Sequence, residues 1–516
     1  MKKLLTSFPS KARSVWLCRS LVCALLLGGP VSAEDIQYRL QSDPEIAPVA
    51  FYNNFLKEEG GGDQGDEKSV EDRLSSLEEN YSDLGDDYKN LSKANKDLKK
   101  KMKTLAASGH GRATMKVNGR IHADLWSFPD SDAAINTFET GDPTITPQDQ
   151  FGFRRLRFGV KGNLGQTMLY KIEMEFAGGN NSEFRDAYFG WKEIPLFRQI
   201  LIGNQKRPYG LDHLNSSRYN VFLERPFVIE SFNQDARRLG VQSYGVSENE
   251  NWNWRYGVFN QRLVQDEGIY VSDHWQLEFA GRLANTFWYD EASGGRGYGH
   301  WAVSGSAADP DGSTIAGRAS NEARFRHRPE ARSVNRWLNT GRIAGADNYQ
   351  LLGLENVWNF GALQLVGEAQ NIWLQRDAGF GPDINLNGAY VYAAYFLTGE
   401  HMPWKRSSGT LDRIRPLENF FLVDTCSDGV QAGWGAWQVA YRWSYADFND
   451  DNIFGGRGTS HTLGLNWYWN EFSRMQFNAI YGEIDDAQIS NGDNDGTAAI
   501  QSGDYTILGM RFMVDF

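Results

Sequence analysis

The chain has 516 residues, a net charge of -12, 23% charged residues and a mean hydropathy of -0.53. These values exclude bulk nucleic-acid binding, which needs a basic face. They also exclude a polytopic helical membrane protein, because beyond the N-terminus no apolar run reaches the ~18 residues of a membrane helix.

Fifty-four glycines and 13% aromatics, 17 of them tryptophan, suit a chain of many strands and turns. They also suit a membrane barrel, whose polar lumen face masks its lipid face in any hydropathy average. Residues 1–33 read as a cleaved signal peptide. Lys2, Lys3, Lys11, Arg13 and Arg19 precede a short apolar core at Leu21–Leu27, and Val31-Ser32-Ala33 supplies small residues for cleavage. The mature chain then keeps only Cys426, so it has no internal disulfide. Residues 34–69 form a flexible linker, most plainly in EEGGGDQGD at 58–66.

Over residues 70–105 the pattern becomes a heptad. Val70, Leu77, Leu84, Leu91, Leu98 and Leu105 recur every seven residues, and Leu74, Tyr81, Tyr88, Asn95 and Met102 follow the first five at four-residue offsets. This a/d seam predicts an α-helical coiled coil, with Asn95 as the polar position that sets register. A single amphipathic helix lying on a neighbouring domain is the alternative. The lysines at 93, 96, 99, 100, 101 and 103 make the end nearest the next domain basic, suited to anionic headgroups or simply to solvent.

The barrel domain is placed at 106–516, and from about 114 to the end the period is two. Met115, Val117, Gly119, Ile121, Ala123 and Leu125 alternate with Lys116, Asn118, Arg120, His122, Asp124 and Trp126. The last strand carries Leu508, Met510, Phe512, Val514 and Phe516 on one face. Strands are predicted at 114–127, 151–163, 167–178, 183–192, 199–209, 237–245, 252–260, 274–288, 298–306, 347–360, 362–375, 386–399, 433–448, 460–469, 473–484 and 503–516. An even number of strands with alternating short and long connections fits an all-β transmembrane antiparallel barrel with both ends in the periplasm. Residues 400–432 break the rule, as a long connection on the short-turn side. Two further strands within 307–346 would make eighteen. Alternation also fits a soluble β-rich domain with its apolar face inward.

The barrel region contains 31 Arg and 6 Lys. Arginine cannot face lipid without a cost of ~2–4 kcal/mol near midplane, so in a barrel these side chains belong to the lumen, where they attract anions. The candidate anion-binding residues are Arg154, Arg155 and Arg157 in FGFRRLRFGVKG, with Arg120, Lys171, Arg185, Lys206, Arg207 and Arg238. Each could instead pair with a carboxylate and stiffen the wall. Gln205-Lys206-Arg207-Pro208-Tyr209-Gly210 ends a strand and opens a loop to about 236. Folded inward, that loop would set a constriction; left outside, it would be an external loop. Trp467, Tyr468 and Trp469 are candidates for an interfacial aromatic girdle. HExxH, GxSxG and P-loop motifs are absent, and the histidines lack metal-ligand spacing, so neither an enzyme nor a cofactor is expected.

These residues resemble the phosphate-selective porin O and P family of Gram-negative outer membranes. The likeness runs from about 114 to 516. It rests on YVYAAYFLTGE (390–400), ARRLGV (236–241), IGNQKRPYGLD (202–212) and LGLNWYWN (463–470), with FRDAYFGW (184–191) and FRRLRFGVKG (153–162) in the same order. The resemblance implies a sixteen-stranded, usually trimeric barrel that passes anions and has one loop folded inward. It implies an N-terminal coiled coil in some members and an assembly signal ending at Phe516. Arg154, Arg155 and Arg157 could take the part of the family's lumen arginines. The family's lysine cluster has no counterpart here, since residues 211–236 contain no lysine.

The expectation is therefore a homotrimeric outer-membrane porin, set in lipid and lipopolysaccharide, that passes inorganic anions such as phosphate or polyphosphate. Residues 70–105 would form a stalk that contacts the periplasm or cell wall. The alternatives are a non-selective solute porin, a structural tether built on the stalk, and a soluble secreted glycan-binding module.

Overall fold

The structure is a computed structural model. It describes residues 113–516 apart from 179–181, 234–236, 264–274, 313–319, 426–428, 493 and 495, and upstream only Lys93 and Lys96, both helical. The expected signal peptide, linker and coiled coil, with Asn95, and the lone mature Cys426 thus lie outside the described residues.

Sixteen antiparallel strands close into one barrel. In chain order they begin with β1 (Lys116–Ser131), β2 (Gln150–Leu164), β3 (Met168–Glu175), β4 (Glu183–Ile194), β5 (Arg198–Lys206), β6 (Arg237–Val246), β7 (Trp252–Asn260), β8 (Leu277–Tyr289) and β9 (Gly297–Ala308). Two short pairing segments, β10 (Arg326–His327) and β11 (Leu338–Asn339), form a small sheet of their own. The barrel resumes with β12 (Ala346–Phe360), β13 (Leu363–Arg376) and β14 (Ile384–Phe396). Two hairpins that are not part of the wall follow: β15 (Trp404–Lys405) with β16 (Thr410–Leu411), and β17 (Phe420–Thr425) with β18 (Gly429–Trp434). The wall is completed by β19 (Ala436–Asp450), β20 (Ile453–Asn470), β21 (Ser473–Ala487) and β22 (Gln501–Asp515). Strand β22 pairs with β1, from Arg120 opposite Asp515 to Ser131 opposite Tyr505. Closure leaves no open edge, as a strand-built structure in lipid requires. Among its described residues, segment 309–345 adds no wall strand, and the closed barrel has sixteen.

The barrel is inside-out relative to a soluble protein. On β20, Leu463 is 62% exposed, whereas Thr462 and Asn466 on the opposite face are fully buried. Phe151 and Phe279 are likewise outward and exposed, while Arg120, Gln438 and Gln476 are buried inside. A soluble β-domain has the reverse arrangement, and that alternative is overturned. Outward aromatic pairs gather toward one end: Trp437 stacks on Trp467 at 4.9 Å, and Phe287 meets Trp358 edge-on at 5.1 Å. Tyr468 does not join them; it is 3% exposed and faces inward, because its neighbours Trp467 and Trp469 take the outward side. The same end carries both barrel termini and the short connections 165–167, 195–197, 361–362 and 471–472, and is therefore periplasmic. The connection after β19 is only 451–452, because β20 starts earlier than its alternation suggested. Wall height is uneven: β3 has 8 residues and β5 and β7 have 9, against 18 in β20.

Among the described residues, three helices lie between strands: α1 (Ala133–Thr140), α2 (Leu211–Leu214) and α3 (Phe227–Asn233). The long periplasmic connection 397–435 has a structural explanation. Its first part turns into the barrel mouth. Tyr298 donates to the Met402 carbonyl at 2.9 Å, Trp404 Nε1 donates to Thr286 at 3.0 Å, and Arg282 donates to the Gly409 carbonyl at 2.9 Å. Wall side chains thereby satisfy backbone carbonyls and an indole N–H that burial would otherwise leave unpaired.

Candidate functional site

The segment 207–233 folds into the lumen. At its start Arg207 donates to Glu278 at 2.6 Å and to the Asn233 carbonyl, tying the two ends of the segment together. Gly210 then adopts φ +78, and a Cβ there would lie 2.9 Å from Gln370 Nε2. Only glycine allows this turn so close to the wall. Just beyond it, the Leu211 and Asp212 amides each donate to Glu368 at 2.7 Å. The Lys206 ammonium donates to the carbonyls of His213, Leu214 and Asn215 at 2.6, 3.0 and 2.8 Å, which caps the C-terminus of α2.

From there the segment crosses to the tall wall. Arg120 donates to Ser217 at 2.7 Å, and Asn466 donates to the Val221 carbonyl at 2.9 Å. Its apolar side chains Val221, Phe222, Leu223, Phe227, Val228, Ile229 and Phe232 are buried. The lumen beside β12–β22 is therefore filled, and the open path lies against β1–β7, which include the low wall at β3–β7.

Two cavities occupy this path. The periplasmic one, about 250 Å³, is lined by nine cationic side chains and two carboxylates, Glu173 and Asp186. The external one, about 320 Å³, has nine cationic side chains and three carboxylates, Glu175, Glu183 and Glu230. Arg155, Arg157, Arg225 and Arg237 line both and mark the passage between them. The chain is acidic overall, but its open path is strongly positive. A local field of this kind, in a low-dielectric enclosure, decides which ion enters.

The arginine cluster on β2 owes its shape to a β-bulge. His122 pairs with Arg155 and Ala123 with Phe153, so Arg154 is an extra residue in the strand. Strict alternation would send Arg154 toward lipid; the bulge turns it inward instead. There it makes a two-pronged contact with Glu224, Nε at 2.7 Å and Nη2 at 2.8 Å. Arg157 donates to Glu175 at 2.6 Å. Arg155 is the least compensated of the three. It is buried, lies 3.5 Å from His122 Nδ1 and 4.0 Å from Glu224, and its Nε has no protein acceptor. The Nε groups of Arg120, Arg185 and Arg255 are also buried without an acceptor. Unmet donors at a cationic surface are sites that an anion or water can satisfy.

The remaining sequence candidates divide by partner. Arg120 and Lys171 line the periplasmic cavity while bonded to Glu173 and Asp186, respectively. Arg185 lines the external cavity and pairs with Glu183 at 2.8 Å. Arg207 and Arg238 line neither cavity; Arg238 donates to the Gln261 carbonyl. Lys206 lines the periplasmic cavity but aims its donors at the inward segment. Replacing Lys206 with Met should loosen that segment and cost ~1.5–3 kcal/mol, the worth of a charged hydrogen bond. Single-channel records should become noisier, with a smaller loss of anion preference than Arg155→Ser causes.

Sequence reading did not single out Arg218 and Arg225 of the inward segment, or Arg328, Arg332 and Arg336 of segment 309–345. The last three follow one another at intervals of four in HRPEARSVNR and converge on the external cavity. Burial, with Arg336 and Arg332 nearby, pushes Arg328 down to about 9, so it remains charged at neutral pH.

A family model described as phosphate-selective porin O and P matches residues 115–516. A protein of Caulobacter vibrioides described as uncharacterized is 25% identical over 424 residues, covering 79% of this chain and 75% of its own. Porin O of Pseudomonas aeruginosa is 29% identical over 162 residues, covering 30% of this chain and 34% of its own. Among solved structures, the anion-selective porin from Comamonas acidovorans superposes with a TM-score of 0.46 at 14% identity, covering 78% of this chain and all of that one. OmpT of Vibrio cholerae in its trimer form gives 0.45 at 12% identity, covering 78% and 99%.

Proposed function

This chain belongs to the phosphate-selective porin O and P family of Gram-negative outer-membrane channels, and we propose that its pore prefers anions, with phosphate-type oxyanions as the class it handles. The observation that carries this reading is the cationic excess along the open path, nine basic side chains against two carboxylates in the periplasmic cavity. Transport is passive. Arg155, Arg157, Arg225 and Arg237 stand in for part of the anion's hydration shell at the passage. The neighbouring carboxylates keep binding weak enough for the ion to leave.

The test is conductance in planar bilayers. A KCl gradient should give a reversal potential on the anion side, and phosphate should reduce the chloride current. Arg155→Ser with Arg157→Ser should shift the reversal potential toward zero and abolish the phosphate block. An unselective wild-type channel would leave a general solute porin.

The reading extends to assembly as a homotrimer. Strands of 8 or 9 residues reach at most the ~9–11 needed to span a bilayer. The low wall at β3–β7 would therefore be best covered by neighbouring protomers, with its exposed Ile172, Phe189 and Val241 between them.

A further inference from the structure

The hairpin β17–β18 takes no part in the barrel wall or in the open path. It is rooted on the outside of the barrel. The indoles of Trp437 and Trp467, both outward-facing, donate to the Trp434 carbonyl at 3.2 and 2.8 Å. Phe420 lies edge-on to Trp467 at 4.5 Å and reaches Trp469 at 6.4 Å. Gly435 joins the hairpin to β19 at φ +67, and a Cβ there would lie 2.3 Å from the Tyr468 carbonyl. This close approach presses the hairpin root against the aromatic belt.

At its root the hairpin presents large apolar side chains that nothing covers. Leu417 just before it is 74% exposed, Phe421 61% and Trp434 71%. A lone two-stranded hairpin is marginal in water, and large apolar side chains clustered at a surface mark a contact. Here the belt itself indicates what makes that contact. Trp437, Trp467 and Trp469 sit at the periplasmic end of the lipid-facing wall, and Phe420 and Trp434 at the hairpin root continue that surface.

We propose that β17–β18 is a membrane-interface anchor that lies among the headgroups and upper acyl chains of the periplasmic leaflet. Its ligand is phospholipid, taken through aromatic side chains at the level where such rings partition. This sets it apart from the first half of the same connection, which folds into the barrel mouth.

The test uses the full chain in nanodiscs of phosphatidylethanolamine and phosphatidylglycerol, with Cys426→Ser as background. An environment-sensitive fluorophore is attached at Phe421→Cys, or at Leu417→Cys where the first variant loses its heat-modifiable gel shift. The control is Thr167→Cys in a periplasmic turn. The expected result is blue-shifted emission, quenched by a nitroxide carried high on the lipid acyl chain and insensitive to iodide, with the reverse at 167. Iodide quenching equal to that at 167 would overturn the proposal, because the hairpin would be in water. Insensitivity to both quenchers would also overturn it, because protein would then cover the patch.

Discussion

Replacing Glu330 with Ala should turn a narrow, anion-preferring channel into a wider, fluctuating one while leaving the barrel folded. Glu330 lies in segment 309–345 and is fully buried. Its Oε1 accepts the Phe227 amide at 3.0 Å, and its Oε2 accepts Arg442 at 2.7 Å and Ser460 at 2.8 Å. One carboxylate thus joins the inward segment, the external segment and the tall wall. Its backbone is held at φ +56, a left-handed conformation that a non-glycine residue keeps only where its surroundings enforce it. Truncation leaves Arg442 buried without its partner, at a cost of ~3–5 kcal/mol. Release of the backbone strain adds to the loss of the folded-in geometry. The barrel should be unaffected, because its backbone ladder is independent of Glu330. The measurement is single-channel conductance and reversal potential on heat-modifiable protein. A conductance and selectivity equal to wild type would show that the inward segment is held by something other than this latch. Glu330→Gln, which keeps acceptors for Phe227 and Ser460, should fall between the two.

Much of this architecture was legible because lipid and lumen impose opposite demands on alternate residues. Period-two alternation located all sixteen wall strands, and the closing strand ending in Phe516 pairs with β1. What escaped was whatever breaks the alternation or joins distant positions. The bulge at Arg154 inverts one residue's direction, and sequence period carries no trace of a single inserted residue. The long connection 400–432 could be seen to break the pattern, but its path depends on wall partners such as Thr286 and Tyr298, more than a hundred residues away. The inward path of 207–233 did leave a trace. Val221-Phe222-Leu223 and Phe227-Val228-Ile229 are too apolar for a loop in water, and they are the residues that fill the lumen. For the site, the basic residues were recognisable as a class, but their compensation was not. Arg511 and Asp124 meet at 2.6 Å across 387 residues of sequence. Which arginine is paired and which is available is therefore settled only by the closed barrel.

Glu224 shows why that distinction governs transport. It is carried on the inward segment, yet it faces the β2 cluster and accepts from Arg154 at 2.7 and 2.8 Å and from Arg511 at 2.7 Å, with Arg155 at 4.0 Å. It is a resident anion at the place where a travelling one would bind. Arg154 and Arg155 line the external cavity, and Glu224 lies behind them. Its charge lowers their attraction for any ion in that cavity. Glu224→Gln keeps the size and one acceptor, so the segment stays in place, but it removes the charge. Phosphate should then bind about 10- to 100-fold more tightly, a gain of ~1.4–2.8 kcal/mol. Throughput should fall at high phosphate, because an ion held too firmly leaves slowly. The measurement is the phosphate concentration that halves the chloride current, read beside the single-channel conductance in chloride. Tighter block at near-normal chloride conductance is the expected pair of results. An unchanged half-block would mean that Arg154 and Arg155 lie off the anion's route. A wide, unselective channel like that of Glu330→Ala would instead make Glu224 a latch for the inward segment, with tuning of affinity no part of its role.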